Sequence, residues 1–461
     1  MPCVPLLRSV AVARRERATR TARIARLFVR QAVGYVGTRV RGVGSGPPER
    51  AEIDERFAIR SAEEVTAQLG QMKGAAMKAG QMLSYLGEGL PPAAQQALAS
   101  LQAHAPPMAP GLARQVVRDE LGRDPEELFA VWEPDPVAAA SIGQVHRAVA
   151  VDGRELAVKV QYPGVDRAIG ADLANADGLL RLFSMFALKS VDTKALVEEL
   201  RLRMAEELDY RIEAEHQMLF ASRYENHPFI HVPAVVPEFS TMRVLTSEWV
   251  DGMGLDEFVE EADEPTRQKA AEAVFRFAQA SVYEHLVFNG DPHPGNYLFH
   301  PDGTVTILDF GLVKRWSDED LATLFPLIGP VLANDGPAAV AEMTRAGFLR
   351  PDHGLDPDAV WAYVRAPYRP YHSERFRFTR EWVRETLGSV FDVYGPHRTV
   401  IDQLEMPASF VLVDRLVWGM ASLLGRLGAE NCWNAILAEY REGAPPATKL
   451  GEVEARWRSM A

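Results

Sequence analysis

Within ELAVKVQ, residues 155–161, a lysine stands among apolar neighbours in a run that reads as a strand. Burying an ammonium without a partner is expensive. A fold that accepts Lys159 in a strand must therefore bring a carboxylate to it. The helical pattern VEELRLRMAEELDYRIEAEHQ, residues 197–217, offers candidates, Glu207 and Glu213 among them.

A second constraint lies in NGDPHPGNYLFHPDGTVTILDFGLV, residues 289–313, where Asp291, Asn296 and Asp309 interrupt a run of strand and core character. Asp291 and Asn296 are five residues apart in a loop stiffened by two prolines and a glycine. Asp309 follows a strand and precedes Phe310-Gly311. These are the parts that phosphoryl transfer requires. A lysine holds nucleotide phosphates and a glutamate orients it, while an aspartate positions or deprotonates the attacking group. An asparagine and a second aspartate hold Mg²⁺, a hard ion that takes oxygen ligands. The order V-x-K, helix Glu, D-x-x-x-x-N, D-F-G is that of protein kinases.

The chain has 461 residues, more than one hydrophobic core usually supports, so two lobes or domains are expected. Its only cysteines are Cys3 and Cys432, which make no metal framework, and no secretory signal is read; a reducing, cytoplasmic setting is expected. No window reaches the roughly 18 uncharged apolar residues of a membrane span. Charge is uneven. Residues 1–46 hold ten arginines and one acid, Glu16, so an arm of +9 within a net −13 leaves −22 for the body. Apolar residues Ile24, Leu27, Phe28, Ala32 and Val33 fall near helical spacing between the arginines, which fits a helix on an anionic membrane surface. The acidic body would repel phosphates, so no nucleic acid partner is expected.

After the linker GVGSGPPE, residues 42–49, helical patterns cover 54–104, with a break at GEGLPP, and 112–131, stopped by Gly122. PVAAASIGQVHRAVAVDGRELAVKVQYPG, residues 136–164, alternates around Asp152-Gly153 and predicts a β-hairpin. Helices are expected near 168–188, 193–224 and 264–288, with short strands in HVPAVVPEF and MRVLTSEWV. A second hairpin is expected around Asp302-Gly303, and only helices and loops from about 317 onward. Strands in the first half and helices in the second predict an α+β, bilobal protein.

The stretches KAGQMLS, AAASIGQVHRA, AVKVQYPG, EELDYRIEA, DPHPGN and LDFG together resemble the UbiB/AarF-domain (ADCK-like) family of atypical kinases. They span roughly residues 75–315, with a weaker match at RLVWGMASLLGRLG. The resemblance implies a protein-kinase-like fold with a small β-rich N-lobe (132–250) and a helical C-lobe (251–461). A helical K-x-G-Q extension (50–131) would precede it, after a basic arm and linker (1–49). It implies ATP and Mg²⁺ as cofactors, and a link to ubiquinone or other isoprenoid-lipid metabolism with peripheral membrane association. Residue by residue, Lys159 is the strand lysine and Glu207 its helix partner, while Glu213 faces Lys78 of the extension. Asp291 is the catalytic-loop aspartate, and Asn296 and Asp309 hold metal. Ala139, Ala140, Ser141 and Gln144 lie over the phosphates, Gln81 and Lys78 lie near the nucleotide, and the Glu248 backbone meets the adenine.

Three departures stand out. Alanines replace glycines in AAASIGQV, residues 138–145, and alanine does not readily adopt the φ > 0 open to glycine. No A-P-E triplet follows Asp309, so the usual protein-substrate platform is not written in the sequence. Asn289 and Gly290 precede Asp291 where the family usually has a histidine two residues before it. His293 is read as a packing or hydrogen-bonding residue of its loop. A Ser/Thr protein kinase, a nucleotide-binding scaffold without turnover and a basic-arm interaction protein are the alternative readings.

Overall fold

The computed structural model describes residue 108 and residues 110–140, 142–165, 205–390 and 395–460. The chain divides into two compact units, 1–105 with 168–179, and 106–167 with 180–461. Every described residue belongs to the second. The basic arm, the K-x-G-Q segment with Lys78 and Gln81, the helix expected near 168–188, and Ser141 lie outside the described residues.

The first described helix, α1 (Pro110–Leu121), buries Ala113, Val116 and Val117, an i, i+3, i+4 face. Gly122 ends it with φ +76°, its amide donating back to Arg118 O at 2.8 Å. The helical pattern over 112–131 thus stops at Gly122, as expected. One turn, α2 (Pro125–Leu128), leads into β1 (Phe129–Trp132), then β2 (Ala138–Ala139), β3 (Gly143–Ala150) and β4 (Glu155–Gln161). The β3–β4 hairpin turns at Asp152-Gly153 as expected, with Gly153 at φ +90°.

The next helix, α3 (Tyr210–Arg223), is capped by Asp209, whose side chain accepts from Arg211 N at 3.1 Å. It buries Tyr210, Glu213, Ala214, Gln217 and Phe220 on one face. After β5 (Ile230–His231) comes β6 (Val244–Glu248), which completes an antiparallel sheet in the order β1-β3-β4-β6, with β2 on β3. HVPAVVPEF forms little strand beyond β5. Pro233 and Pro237 lack the amide donors a ladder needs, and only an isolated bridge joins Val235 to Ser247.

Period-2 burial decides which face of the sheet each residue serves. Val158, Val160, Leu156, Ala148 and Ala150 pack with α1, Phe129, Val236 and Val244 into one core. Lys159, Ala157 and Val145 alternate with them and face the other way. Gly143 must remain glycine, since a Cβ there would lie 2.3 Å from Val160 O.

Helices predominate in the rest. The first two are α4 (Leu255–Glu261) and α5 (Glu264–Gln279). A π-helical turn, Ala280–Glu284, and Leu286 at φ +54° break α5 from β7 (Val287–Asn289), so the helix expected to 288 ends in a strand. The expected second hairpin forms from β8 (Tyr297–Phe299) and β9 (Val305–Ile307), and β5 joins β9 in parallel. Next comes β10 (Val313–Arg315), which pairs with β7 and places Val313 opposite Asn289.

Then follow α6 (Asp318–Leu332), α7 (Gly336–Arg345), α8 (Pro357–Val364), β11 (Phe376–Arg377), α9 (Arg380–Val390), α10 (Arg398–Ile401) and α11 (Ala408–Leu427). The chain closes with β12 (Glu430–Asn431), α12 (Trp433–Glu442) and α13 (Lys449–Arg458). The β11–β12 pair was not expected; two residues per strand show no alternation. Among the described residues no helix is long and apolar enough to cross a membrane.

A buried guanidinium ties the last helices to α5. Arg276, fully buried, donates to Glu272 Oε1 at 2.8 Å, to Glu439 Oε2 at 2.8 Å and to Glu454 Oε2 at 3.0 Å. Burial alone would raise the Glu454 pKa. The His227 ring 3.6 Å away, the Arg458 charge, a hydrogen bond from Tyr440 and the Arg276 charge outweigh it and bring the value down to about 2. A carboxyl depressed on folding stabilises above its unfolded pKa and loses that contribution as pH falls through the folded value. Chemical denaturation should therefore show about 3 kcal/mol of stability lost between pH 4.5 and 2 through this group. In Glu454→Gln that part of the pH dependence should vanish.

Candidate functional site

Lys159 reaches out from the non-core face of β4. Its Nζ donates to Glu213 Oε1 at 2.7 Å and Oε2 at 2.9 Å, and to Asp309 Oδ2 at 3.3 Å. The Tyr210 ring centroid lies 5.1 Å from the same nitrogen. Burial works against the ammonium, but the Asp309 and Glu213 charges more than offset it and hold the Lys159 pKa well above the ordinary value. With two carboxylates sharing one cation, burial and the Asp309 charge outweigh Lys159 and push Glu213 up to about 7.

The expected partner of Lys159 was Glu207, and the structure corrects this to Glu213. The helix restarts at the Asp209 cap, so Glu213 lies on the buried face of α3 and Glu207 in the helical turn before it. That turn is held to the sheet by Gln161 Nε2, 3.5 Å from Glu207 O and 3.0 Å from Leu208 O. Glu213 is thus the carboxylate on Lys159, and its expected partner Lys78 lies outside the described residues.

Asp291, Asn296 and Asp309 come together through the backbone. Asn289 Nδ2 donates to Asp309 O at 2.7 Å, and its Oδ1 accepts from Asp291 N at 2.9 Å. One amide thus laces the two aspartate segments, where β7 and β10 pair. Asn296 Nδ2 donates to Asp291 O at 3.0 Å and Oδ2 at 3.2 Å, and Asn296 O accepts from Leu308 N at 2.9 Å. Asp309 Oδ1 accepts from Gly311 N at 2.9 Å, and a Cβ added at Gly311 would stand 3.2 Å from that oxygen. Phe310 is fully buried against Phe220 of α3, ring centroids 4.9 Å apart, and this fixes Asp309 beside Glu213. His293 serves its own loop, accepting from Gly295 N at 3.0 Å.

The alanine-rich segment is a tight hairpin. Ala138 and Ala139 pair with Val145 and Gln144, and Ala140 N donates to Gly143 O at 2.9 Å. Gln144 departs from its expected place at the phosphates. It falls on the core face of β3, fully buried, where its Oε1 accepts from Met108 N at 2.9 Å and its Nε2 lies 2.9 Å from His146 Nε2. Glu248 ends β6. Its amide donates to Ala234 O at 2.8 Å, and its carboxylate accepts from Ala234 N at 3.3 Å and lies 3.3 Å from His231 Nε2.

Two residues at this site had no place in the sequence reading. Tyr210, whose hydroxyl is buried, underlies Lys159 and closes on Gly143. Arg415 of α11 donates through Nη2 to Asp291 Oδ1. The only sequence signal near Arg415 was the weakly matching stretch RLVWGMASLLGRLG.

A family model described as the ABC1 atypical kinase-like domain matches residues 100–343. The rat protein "Atypical kinase COQ8B, mitochondrial" is 35% identical over 266 residues, covering 56% of this chain and 49% of that protein. A Dictyostelium discoideum protein, "Probable serine/threonine-protein kinase abkA", is 31% identical over 315 residues, covering 64% and 55%. The chain thus spans about half the length of these curated relatives. The solved Rv3197 protein of Mycobacterium tuberculosis, in complex with erythromycin, matches with a TM-score of 0.61 and 30% identity over 85% of this chain and 98% of that one.

Glu213→Ala leaves Lys159 with Asp309 as its counter-charge, so the loss should fall below the roughly 3–5 kcal/mol of a fully uncompensated buried charge, at about 1–3 kcal/mol in urea titrations. The double change Lys159→Met, Glu213→Leu should recover at least half of that loss.

Proposed function

The chain belongs to the ABC1 atypical kinase-like family, and we propose that it binds a magnesium–adenine nucleotide at the Lys159 cluster and directs phosphoryl transfer. The acceptor would be water or a small or lipid molecule. The observation that carries this reading is the meeting of Lys159 Nζ with Glu213 and Asp309, 3.3 Å from the latter, beside the loop of Asp291 and Asn296.

In this reading Lys159 holds nucleotide phosphates and Glu213 aims it, in place of Glu207. Asp309 and Asn296 would hold the magnesium. The donors fit a hard cation: Asp309 offers a carboxylate held in place by Gly311 N, and Asn296 commits its Nδ2 to Asp291, so its Oδ1 is the ligand atom. When bound, the ion neutralises phosphate charge. Asp291 orients the attacking hydroxyl or water and takes its proton. Ala139, Ala140 and Ser141 would cover the phosphates through their backbone, with Gln144 bracing the hairpin from the core side. The chain end of β6 at Glu248 would meet the adenine through backbone groups other than the committed amide. Lys78 and Gln81 would border the nucleotide from the K-x-G-Q segment, between two kinase-like lobes. The family resemblance supports an isoprenoid-lipid acceptor or a role in ubiquinone metabolism, and the arginine arm supports contact with an anionic membrane.

Calorimetric titration with ATP should show binding that depends on Mg²⁺, weakened at least about tenfold in Asp309→Asn. Absence of binding by the unaltered chain would sink the reading. ADP release should then be followed with quinone-precursor lipids, with anionic liposomes and with erythromycin, the ligand of the solved relative. Glu213 titrates at about 7, and its proton removes one of the two carboxylates from Lys159. kcat/KM should accordingly rise with pH through about 7 in the unaltered chain and be low and flat in Glu213→Gln.

A further inference from the structure

α11 lies along the loop that carries Asp291, and three of its residues meet three successive loop residues at helical spacing. A Cβ on Gly290 would sit 3.6 Å from Leu412 Cδ2. Arg415 pairs with Asp291. A Cβ on Gly419 would fall 2.2 Å from Pro292 Cγ, so glycine is what lets the helix come this close. Residues 412, 415 and 419 share one helix face. The ion pair is sheltered, with 13% of the Arg415 side chain and 15% of Asp291 exposed. The carboxylate is consequently held at both oxygens: Oδ1 by Arg415 and Oδ2 by Asn296 Nδ2 at 3.2 Å. Donors on both oxygens fix the plane of the group as well as its place. Arg415 comes from 124 residues further along the chain, past the region matched by the family model.

We propose that Arg415 is a positioning residue for the phosphoryl-transfer step, acting through Asp291. This rests on the reading of Asp291 given above. The guanidinium holds the carboxylate in the orientation that receives the acceptor's hydroxyl, and it balances a site otherwise rich in carboxylates. Gly419 sets the approach of the helix that delivers it. Arg415 acts through Asp291 in this reading, so its removal affects turnover and spares binding. A guanidinium that merely tied α11 to the loop would instead change stability, and a small cation in solution would not replace it.

The test uses the full chain and five proteins: unaltered, Arg415→Ala, Arg415→Lys, Gly419→Ala and Asp291→Asn. Mg-ATP affinity, ADP release and thermal melting are measured on each. Arg415→Ala should bind Mg-ATP within about threefold of the unaltered chain and lose about 100-fold in kcat. Arg415→Lys should recover about tenfold of that, and millimolar guanidinium chloride should raise the alanine variant by a similar factor. It should do nothing for Asp291→Asn. Gly419→Ala, with Arg415 intact, should lose about tenfold in kcat because the added methyl moves the helix off Pro292. The proposal is overturned if Arg415→Ala turns over as fast as the unaltered chain or faster. It is also overturned if the deficit responds neither to lysine nor to guanidinium, or if the unaltered chain binds Mg-ATP without releasing ADP. Failure of the unaltered chain to bind Mg-ATP removes the nucleotide reading itself.

Discussion

One ammonium shared by two carboxylates organises this molecule. Lys159 cannot stay charged on its strand without Glu213 and Asp309, and those two arrive from a helix and a loop 54 and 150 residues further along. Each is set by its own local device. The Asp209 cap gives α3 the phase that turns Glu213 inward, and the Gly311 amide together with the buried Phe310 sets Asp309. The sheet contributes through strict alternation, which gives Val158 and Val160 to the core and Lys159 to the opposite face. The arrangement holds a cation and two anions in proximity before anything else binds, and this preorganisation is what an electrostatic site requires.

Around that cluster the loops depend on side-chain amides more than on regular ladders. Asn289 bonds to both aspartate segments at once, and Asn296 returns to Asp291 twice. Where a histidine was expected two residues before Asp291, an amide satisfies a backbone donor and a backbone acceptor together. Gly290 beside it leaves room for Leu412. The departure from the family pattern is thus compensated within the same few residues and by α11.

Much of this was legible in the sequence, for a physical reason. Lys159, Asp291, Asn296 and Asp309 announce themselves because polar groups in apolar or proline-stiffened runs need partners, and their order is short-range information. Both hairpins were legible from Asp-Gly turns. Glu213 was not separable from Glu207, because the choice depends on where the helix restarts, and a cap at Asp209 shifts the phase. Gln144 was misplaced because its motif fixes proximity to the phosphates while the pleat fixes direction, and the direction is toward the core. The strands β1 and β7 were absorbed into helical patterns, since three or four apolar residues carry no decisive period. Arg415 had no local signal: an arginine in an amphipathic helix is usually a solvated one, and its partner is distant in sequence.

The buried hub at Arg276 carries a consequence for the shape of the folding reaction. Glu272 belongs to the helix of Arg276, whereas Glu439 and Glu454 come from the last two helices. If α12 and α13 peeled away, a guanidinium with no exposed surface would lose two of its three carboxylates while still enclosed by protein. Fraying from the C-terminal end is therefore steeply uphill. Those helices should melt together with α5 as one cooperative block, so trimming the chain there would undermine the helix that supports the π turn and β7 beneath the Asp291 loop.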